Sequence, residues 1–368
     1  MRSRAFRPSV DRLEERTALS LGAMAPAVAF VSPIERTDPA AVQRYQEILA
    51  RIRTRQDDVI FLGDSMVEYW DRIAGSIWSQ KVAPLGAANF GVASDMTRHL
   101  LWRLENGELA GRPKVAVVEI GTIDIMYSTS PLTARVAETV AGISSVVGTI
   151  RNLSPTTKIL LMGVIPIGLT PDDPYRIMGQ QVNEQIVNLA DEVNVRYLDI
   201  SPAFLQPDGT RPFTPFGLHP TPQEYDVWAD AVYGSVQQWL GRPYAPTVQG
   251  IRLTHPQRNL VTIVLSFNES LDADSAGNQA NYSLTRVSPR LSRRGPQRAR
   301  SVMLQQVTYD SAAKRVTLKF IRPLAPTNRY VLTVGGTPPT GIKNIYGYFL
   351  DGDGDGIPGR NYVSEFRT

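Results

Sequence analysis

The chain has 368 residues, enough for two domains, and 42% of them are hydrophobic, an ordinary fraction for a globular protein. Its formal net charge of +4 is too small to indicate nucleic-acid binding without a local basic patch. The absence of cysteine from the sequence excludes disulfides, thiol catalysis and cysteine-ligated metal centres. The three histidines, His99, His219 and His255, are therefore the candidates for a histidine base.

Residues 1–35 are expected to be either an export leader or a disordered tail. The first 16 residues carry five arginines, and an apolar run of small residues follows at 21–31. Three acids among the arginines, and Pro26 within the apolar run, are atypical of a leader, so both interpretations stay open. A leader would predict an exported protein of bacterial type, either extracellular or bound to the cell surface.

Residues 36–242 alternate between apolar strand patterns and amphipathic helix patterns. The predicted strands are 59–62, 88–92, 115–120, 158–165 and 195–200. The predicted helices are 39–55, 66–78, 97–104, 132–152, 178–193 and 222–240. Because the strands are almost continuously apolar, they predict a parallel sheet covered by helices on both faces, a three-layer α/β/α domain. Ligands in such folds bind at the carboxyl ends of the strands.

A short polar corner follows the first of these strands. Gly63, Asp64 and Ser65 lie between the buried strand and the next helix. A serine at such a corner can point its hydroxyl into a cleft, with its backbone N–H near the positive end of the helix dipole. That arrangement suits a serine nucleophile. The same residues are also consistent with a simple helix N-cap at Asp64 or Ser65.

After a linker predicted at 243–248, the pattern changes to short strands separated by turn-rich residues. The predicted strands are 260–267, 301–309, 315–320 and 330–334. Alternation of polar and apolar residues at 315–320 is typical of a half-buried strand. We therefore expect residues 249–368 to form an all-β sandwich of about seven strands.

Four short blocks resemble the SGNH, or GDSL-type, hydrolase family, and most closely its platelet-activating-factor acetylhydrolase catalytic-subunit branch. The blocks are Gly63-Asp64-Ser65, residues 89–104, Gly121-Thr122-Ile123-Asp124 and Gly217-Leu218-His219-Pro220. The resemblance implies a flavodoxin-like fold for 36–242 and hydrolysis of an ester-bearing lipid or carbohydrate without a cofactor. It also implies a homodimer by analogy, because that branch forms one.

The same resemblance implies roles for individual residues. Ser65 would be the nucleophile and His219 its base, while the backbone N–H groups of Ser65 and Ser94 would hold the oxyanion. Ile123 stands where the family has an asparagine donor, and loss of one such donor costs about 2.7–4 kcal/mol. Phe216 stands where the family has the aspartate that orients the histidine.

Two functions follow from these departures. The first is a serine ester hydrolase with weakened activity that removes a short acyl group such as acetyl. The second is a catalytically degenerate domain that acts as a binding or surface-associated module.

Two features of the β region also have alternatives. Asp351, Asp353 and Asp355 alternate with glycines as in the first half of an EF-hand loop, but position twelve would be Tyr362. This indicates either a structural calcium site or an acidic turn. Residues 344–366 resemble Ig-like domains of bacterial surface proteins, which space or bind. A run of arginines predicts either a solvated loop or a patch for an anionic cell-surface polymer; it comprises Arg286, Arg290, Arg293, Arg294, Arg298 and Arg300.

Overall fold

The computed structural model describes residues 31–212, 219–257, 260–287, 299–325 and 328–367. Most of the expected leader, Phe216, and the arginines at 290, 293, 294 and 298 lie outside these ranges. Within them, no helix combines the length and the apolar character needed to cross a membrane.

A parallel sheet forms the centre of the first domain, with strand order β2-β1-β3-β4-β5. Its strands are β1 (Val59–Gly63), β2 (Ala87–Gly91), β3 (Val115–Glu119), β4 (Lys158–Met162) and β5 (Val195–Leu198). The α-helices are α1 (Pro39–Thr54), α2 (Ser65–Glu68), α3 (Trp70–Ile77), α4 (Thr97–Arg103), α5 (Thr122–Tyr127), α6 (Leu132–Leu153), α7 (Pro174–Ile186) and α8 (Pro222–Trp239). The predicted parallel α/β fold is therefore confirmed.

Side chains of each strand point alternately into two separate cores, as the two-residue period of a strand requires. Ile60 and Leu62 of β1 belong to the core that includes α1, α4, α6 and α7. Val59 and Phe61 belong to the opposite core, which contains Trp70 of α3 and residues of α8. Both faces of the sheet are thus covered, which explains why its strands are apolar throughout.

The predicted helix at 66–78 is broken at Tyr69, where α2 ends and α3 begins. Trp70 is completely buried, with its ring centroid 4.8 Å from that of Trp228 and 4.9 Å from that of Tyr225. Trp70 enters the core, whereas the ring of Tyr69 lies beside that of His219. Residue periodicity alone did not reveal this break.

The C-terminal region consists of two antiparallel sheets, in the orders β10-β11-β7-β6 and β13-β12-β8-β9. The strands are β6 (Val248–Gln257), β7 (Leu260–Phe267), β8 (Tyr282–Val287), β9 (Ala299–Val302), β10 (Leu304–Asp310), β11 (Arg315–Phe320), β12 (Arg329–Val334) and β13 (Tyr362–Arg367), with a short helix α9 (Ala273–Gly277) after β7. The predicted strand at 301–309 is two strands, because the chain passes from one sheet to the other at Met303. The expected all-β sandwich is confirmed and is consistent with an Ig-like domain.

The two domains contact each other along α8. The ring of Tyr346 stacks on that of Tyr233 at 3.5 Å between centroids, and its hydroxyl donates to the carbonyl of Lys81 at 2.9 Å. A Cβ at position 234 would overlap the hydroxyl of Tyr348, so Gly234 allows this close approach. The β domain is thereby packed against the helix that directly follows His219.

Two glycines allow a matched test of the sheet centre. A Cβ at Gly63 would overlap the carbonyl oxygen of Glu119 on the neighbouring strand, whereas one at Gly148, an exposed position of α6, would meet nothing. We expect Gly63→Ala to lower the free energy of unfolding by roughly 1–3 kcal/mol or more, since backbone must move. Gly148→Ala should raise it by about 0.5–1 kcal/mol. Urea denaturation measures both, and equal stability of the two variants would contradict the prediction.

Candidate active site

The serine corner is built on the end of β1. Asp64 is the N-cap of α2, and its Oδ1 accepts a hydrogen bond of 2.8 Å from the backbone N–H of Met66. Ser65 is the first residue of α2 and is 9% exposed. Because Asp64 caps the helix, the hydroxyl of Ser65 is available for another partner. The two interpretations of this corner therefore hold together, with the cap on one residue and the candidate nucleophile on the next.

That partner is His219, whose Nε2 lies 3.0 Å from the Oγ of Ser65. The two residues are 154 positions apart, and the fold brings them together at the carboxyl edge of the sheet. His219 directly precedes α8, which begins with a capping box formed by Thr221 and Glu224. The capped helix start fixes the chain just after the histidine. A hydrogen-bonded serine and histidine can transfer a proton between them.

An aromatic side chain lies against the histidine. The ring centroid of Tyr69 is 4.8 Å from that of His219, and the guanidinium carbon of Arg72 lies 3.7 Å from the Tyr69 ring centroid. Sequence reasoning missed both residues. The four-residue spacing from Ser65 to Tyr69, one turn of helix, was the available signal.

The loop after β2 presents the second predicted oxyanion position. Ser94 has a φ of 66°, in the left-handed region that favours glycine. Arg36 braces the loop, since its Nη1 donates to the carbonyl of Ala93 and to Asp95. Arg103 also stabilises the loop, because its Nε donates a hydrogen bond of 2.8 Å to the carboxylate of Asp95. Ser94 thus adopts a backbone conformation that favours glycine, and it still carries the backbone N–H predicted to hold the oxyanion.

The third block does not supply a polar side chain at position 123. Ile123 lies in the first turn of α5, and it is buried. Its neighbour Asp124 is already engaged, because both of its carboxylate oxygens accept hydrogen bonds from Thr97, at 2.7 Å and 2.9 Å. No side-chain amide donor stands at the position where the family has asparagine.

Two carboxylates near His219 in sequence have other partners. Asp226 forms an ion pair with Lys81 at 2.7 Å, and Asp208 accepts hydrogen bonds from Thr210. Position 216, where the family has its aspartate, lies outside the described residues. The other histidine in this domain, His99, accepts a hydrogen bond from the backbone of Met96 and so helps to cap α4. The side chain of His255 is outside the description.

Two buried acids lie at the serine corner: Asp64, which is part of it, and Glu119, which sequence reasoning did not single out. Glu119 ends β3, paired in register with Gly63, and it is completely buried. Burial, with the charge of Asp64 adding to it, holds the pKa of Glu119 well above its usual range. Burial also raises the pKa of Asp64 to about 7. Two carboxylates so placed cannot both ionise without a large free-energy cost, so at least one of them holds a proton.

The acidic loop of the β domain brings its three carboxylates together, with ligand atoms within 4.8 Å of one another. Arg360 pairs with Asp353 at 3.0 Å and with Asp355 at 3.8 Å, and Asp351 accepts hydrogen bonds from the backbone of Gly354 and Gly356. These contacts close the loop as an acidic turn, with an arginine supplying positive charge. Calcium binding at this loop stays a prediction.

A serine and a histidine joined at the carboxyl edge of a parallel α/β sheet have the arrangement of a serine hydrolase. Comparison with known proteins agrees. Residues 61–227 match the model of the GDSL-like Lipase/Acylhydrolase family. The chain is 35% identical over 168 residues to platelet-activating factor acetylhydrolase IB subunit alpha1 of Rattus norvegicus. This alignment covers 45% of this chain and 68% of that protein.

It is also 37% identical over 174 residues to subunit alpha2 of the same rat enzyme, covering 47% of this chain and 72% of that protein. Among solved structures, a GDSL-like lipase from Bacteroides thetaiotaomicron aligns with a TM-score of 0.45 and 18% identity, covering 53% of this chain and 97% of that one. The chain belongs to the GDSL-like lipase/acylhydrolase family.

The buried Glu119 predicts a characteristic dependence of stability on pH. Its raised pKa means that the folded protein holds a proton which the unfolded chain releases above about pH 4.3, so its contribution to stability falls as pH rises. Glu119→Gln removes this titration. We therefore expect the melting temperature of the variant, relative to the wild type, to rise from about pH 5 to about pH 8.

The matched control is Glu184→Gln, an exposed glutamate of α7. Its difference from the wild type should stay constant over the same range. A constant difference for Glu119→Gln as well would show that Glu119 titrates normally in the folded protein.

Proposed function

We propose that this protein is a serine ester hydrolase that removes a short acyl group, such as acetyl, from a lipid or a carbohydrate. The observation that carries the proposal is the 3.0 Å contact between the Oγ of Ser65 and the Nε2 of His219. Membership of the acylhydrolase family supports the reaction class. The acetyl group is supported by the names of the curated relatives, which are acetylhydrolases.

The proposed reaction proceeds in two halves. The Oγ of Ser65 attacks the acyl carbon while His219 accepts the serine proton, and His219 then returns that proton to the leaving alcohol. Water attacks the acyl-serine in the second half, with His219 again acting as base. The acid is released and the serine is restored. No cofactor enters this scheme, and none of its steps requires one.

Charge on the carbonyl oxygen would be held by the backbone N–H groups of Ser65 and Ser94. Donors of this kind stabilise the tetrahedral intermediate because they are already oriented before charge develops. The apolar side chain of Ile123 leaves the third position of the family's oxyanion site without a donor. We therefore expect turnover roughly a hundred- to a thousand-fold below that of a complete site.

The alternative is a degenerate domain that binds an ester or a glycan without turnover. Ile123 and Phe216 favour it, because both replace polar groups on which the family's chemistry depends. The alternative predicts that the corner at Ser65 binds a ligand, whereas the hydrolase predicts release of an alcohol.

A p-nitrophenyl acetate assay separates these two functions. We expect Ser65→Ala and His219→Ala each to lower the rate roughly a thousand-fold or more, because the nucleophile and its base act as one unit. The matched control is Ser79→Ala, at an exposed serine whose hydroxyl donates only to the carbonyl of Ser76. If the wild type and Ser65→Ala hydrolyse p-nitrophenyl acetate at the same rate, the hydrolase is excluded and the binding module remains as the function.

Restoring the missing donor gives a second test. Ile123→Asn should raise kcat roughly ten- to a hundred-fold with little change in KM, since an oxyanion donor acts on the transition state. Ile123→Val keeps the site apolar and should leave kcat unchanged. An active wild type that is not improved by Ile123→Asn would show that residue 123 does not face the oxyanion.

Three further expectations from the sequence belong to this proposal. Export to the cell exterior or surface is supported by the arginine-rich start of the chain and is tested by the N-terminal mass of the secreted protein. A homodimer is supported by analogy and is tested by light scattering.

Structural calcium is supported by the convergence of Asp351, Asp353 and Asp355, and a chelator should lower the melting temperature.

A further inference from the structure

The β domain contains an open cleft of about 430 Å³ at one end of its sandwich. Residues of β8, β9 and β12, all in one sheet, line it together with Met303 and the segment 321–325 that follows β11. Its volume lies in the range of small-molecule and oligomer sites in proteins. The residues that carry the inference are Arg286, Arg300, Met303, Ile321, Arg322 and Tyr330.

Arg286 occupies a core-facing position of its strand. Tyr282 and Leu284, which precede it on β8 at two-residue spacing, are both buried in the sandwich core. Since alternate residues share a face of a strand, the register places Arg286 on that same inner face. Its cross-strand partners are Tyr330 on β12 and Arg300 on β9. An arginine thus stands where the pattern of the strand calls for an apolar residue.

The pairing of Arg286 with Arg300 puts two positive charges directly opposite each other. Like charges at opposed positions of an antiparallel pair destabilise the sheet. Arg322, in the segment that follows β11, adds a third arginine to the lining of the cleft. Among the ion pairs formed within the described chain, none involves these three arginines. Guanidinium groups stay charged at any physiological pH, so the described part of the cleft carries three positive charges without an acidic partner among the described residues.

Exposed apolar side chains flank this charge. Met303 is 70% exposed and Ile321 is 56% exposed. The ring of Tyr330 is only 2% exposed, and its hydroxyl is occupied by the backbone of Ala325. The cleft therefore lacks, among its lining residues, an aromatic face on which nucleic-acid bases stack. Acidic polysaccharides offer both features that the cleft would bind. Their sugar rings have apolar faces, and carboxylates are attached to those rings.

We propose that this cleft binds an acidic polysaccharide. Sugar carboxylates pair with Arg286 and Arg300, and Met303 and Ile321 contact the apolar faces of the sugar rings. A carboxylate, like a phosphate, accepts two parallel hydrogen bonds from a guanidinium, so arginine is suited to bind it. The bound carboxylates also relieve the repulsion between the two arginines. The site does not use Ser65, so it holds the protein on its polymer whether or not the first domain is an enzyme.

Binding of polygalacturonate oligosaccharides to the full chain, measured by calorimetry, tests this proposal. We expect binding to the wild type, none to neutral dextran, and at least a tenfold loss of affinity in Arg286→Gln/Arg300→Gln. The matched control is Arg252→Gln/Arg315→Gln, which removes the same charge from exposed positions on the other sheet. The affinity of this control variant should stay within about twofold of that of the wild type, because charges outside the cleft contribute only weak non-specific attraction.

A second variant shows whether a loss of affinity comes from the cleft itself and not from unfolding of the β domain. Met303→Glu changes a largely exposed residue and places a carboxylate beside the arginines, so it should also lower affinity at least tenfold. The melting temperature of Arg286→Gln/Arg300→Gln should equal or exceed that of the wild type, because opposed charges are removed. Ser65→Ala should bind like the wild type, which separates this result from the proposed hydrolysis.

Three outcomes would overturn the proposal. One is equal binding of dextran and polygalacturonate. Another is equal loss of affinity in the cleft variants and the control. The third is stronger binding of single-stranded DNA or of phosphatidylglycerol vesicles that depends on the same arginines, which would assign the cleft to a different polymer or to a membrane.

Discussion

The candidate site depends on the close approach of two strands at the centre of the sheet. Gly63 ends β1 with the carbonyl of Glu119 in the space that a Cβ would fill, so only glycine permits this pairing. The chain must then turn, and the side chain of Asp64 accepts a hydrogen bond from a backbone N–H in the first turn of α2. These two steps leave Ser65 at the carboxyl edge of the sheet, within 3.0 Å of His219.

The same corner concentrates buried charge. Asp64 and Glu119 are both completely buried at this corner, and burial raises the pKa of each. Such an arrangement opposes stability as pH rises, because the folded state keeps protons that the unfolded chain releases. Active sites commonly carry groups of this kind.

Within the described residues, the β domain contacts the first domain along α8 and at Lys81. Its tyrosines pack on α8, the helix that follows His219, whereas its cleft of arginines lies among β8, β9 and β12. The serine–histidine pair and the arginine cleft thus lie in different domains, with exposed apolar side chains beside the arginines. A hydrolase that acts on a polymer gains from such a division, because a tether raises the local concentration of its ester substrate.

The sequence by itself determined the layers of the fold, since two- and three-to-four-residue periodicities report which side chains are buried locally. It also determined the serine corner, through the run from Gly63 to Ser65. The family resemblance also pairs Ser65 with His219 as nucleophile and base, and the structure places them in contact. Only the tertiary structure brought Tyr69 to His219 and Glu119 to Asp64. Local periodicity contains no information on contacts between segments distant in the chain. For the same reason, only strand register showed that Arg286 and Arg300 oppose each other on the inner face of a sheet.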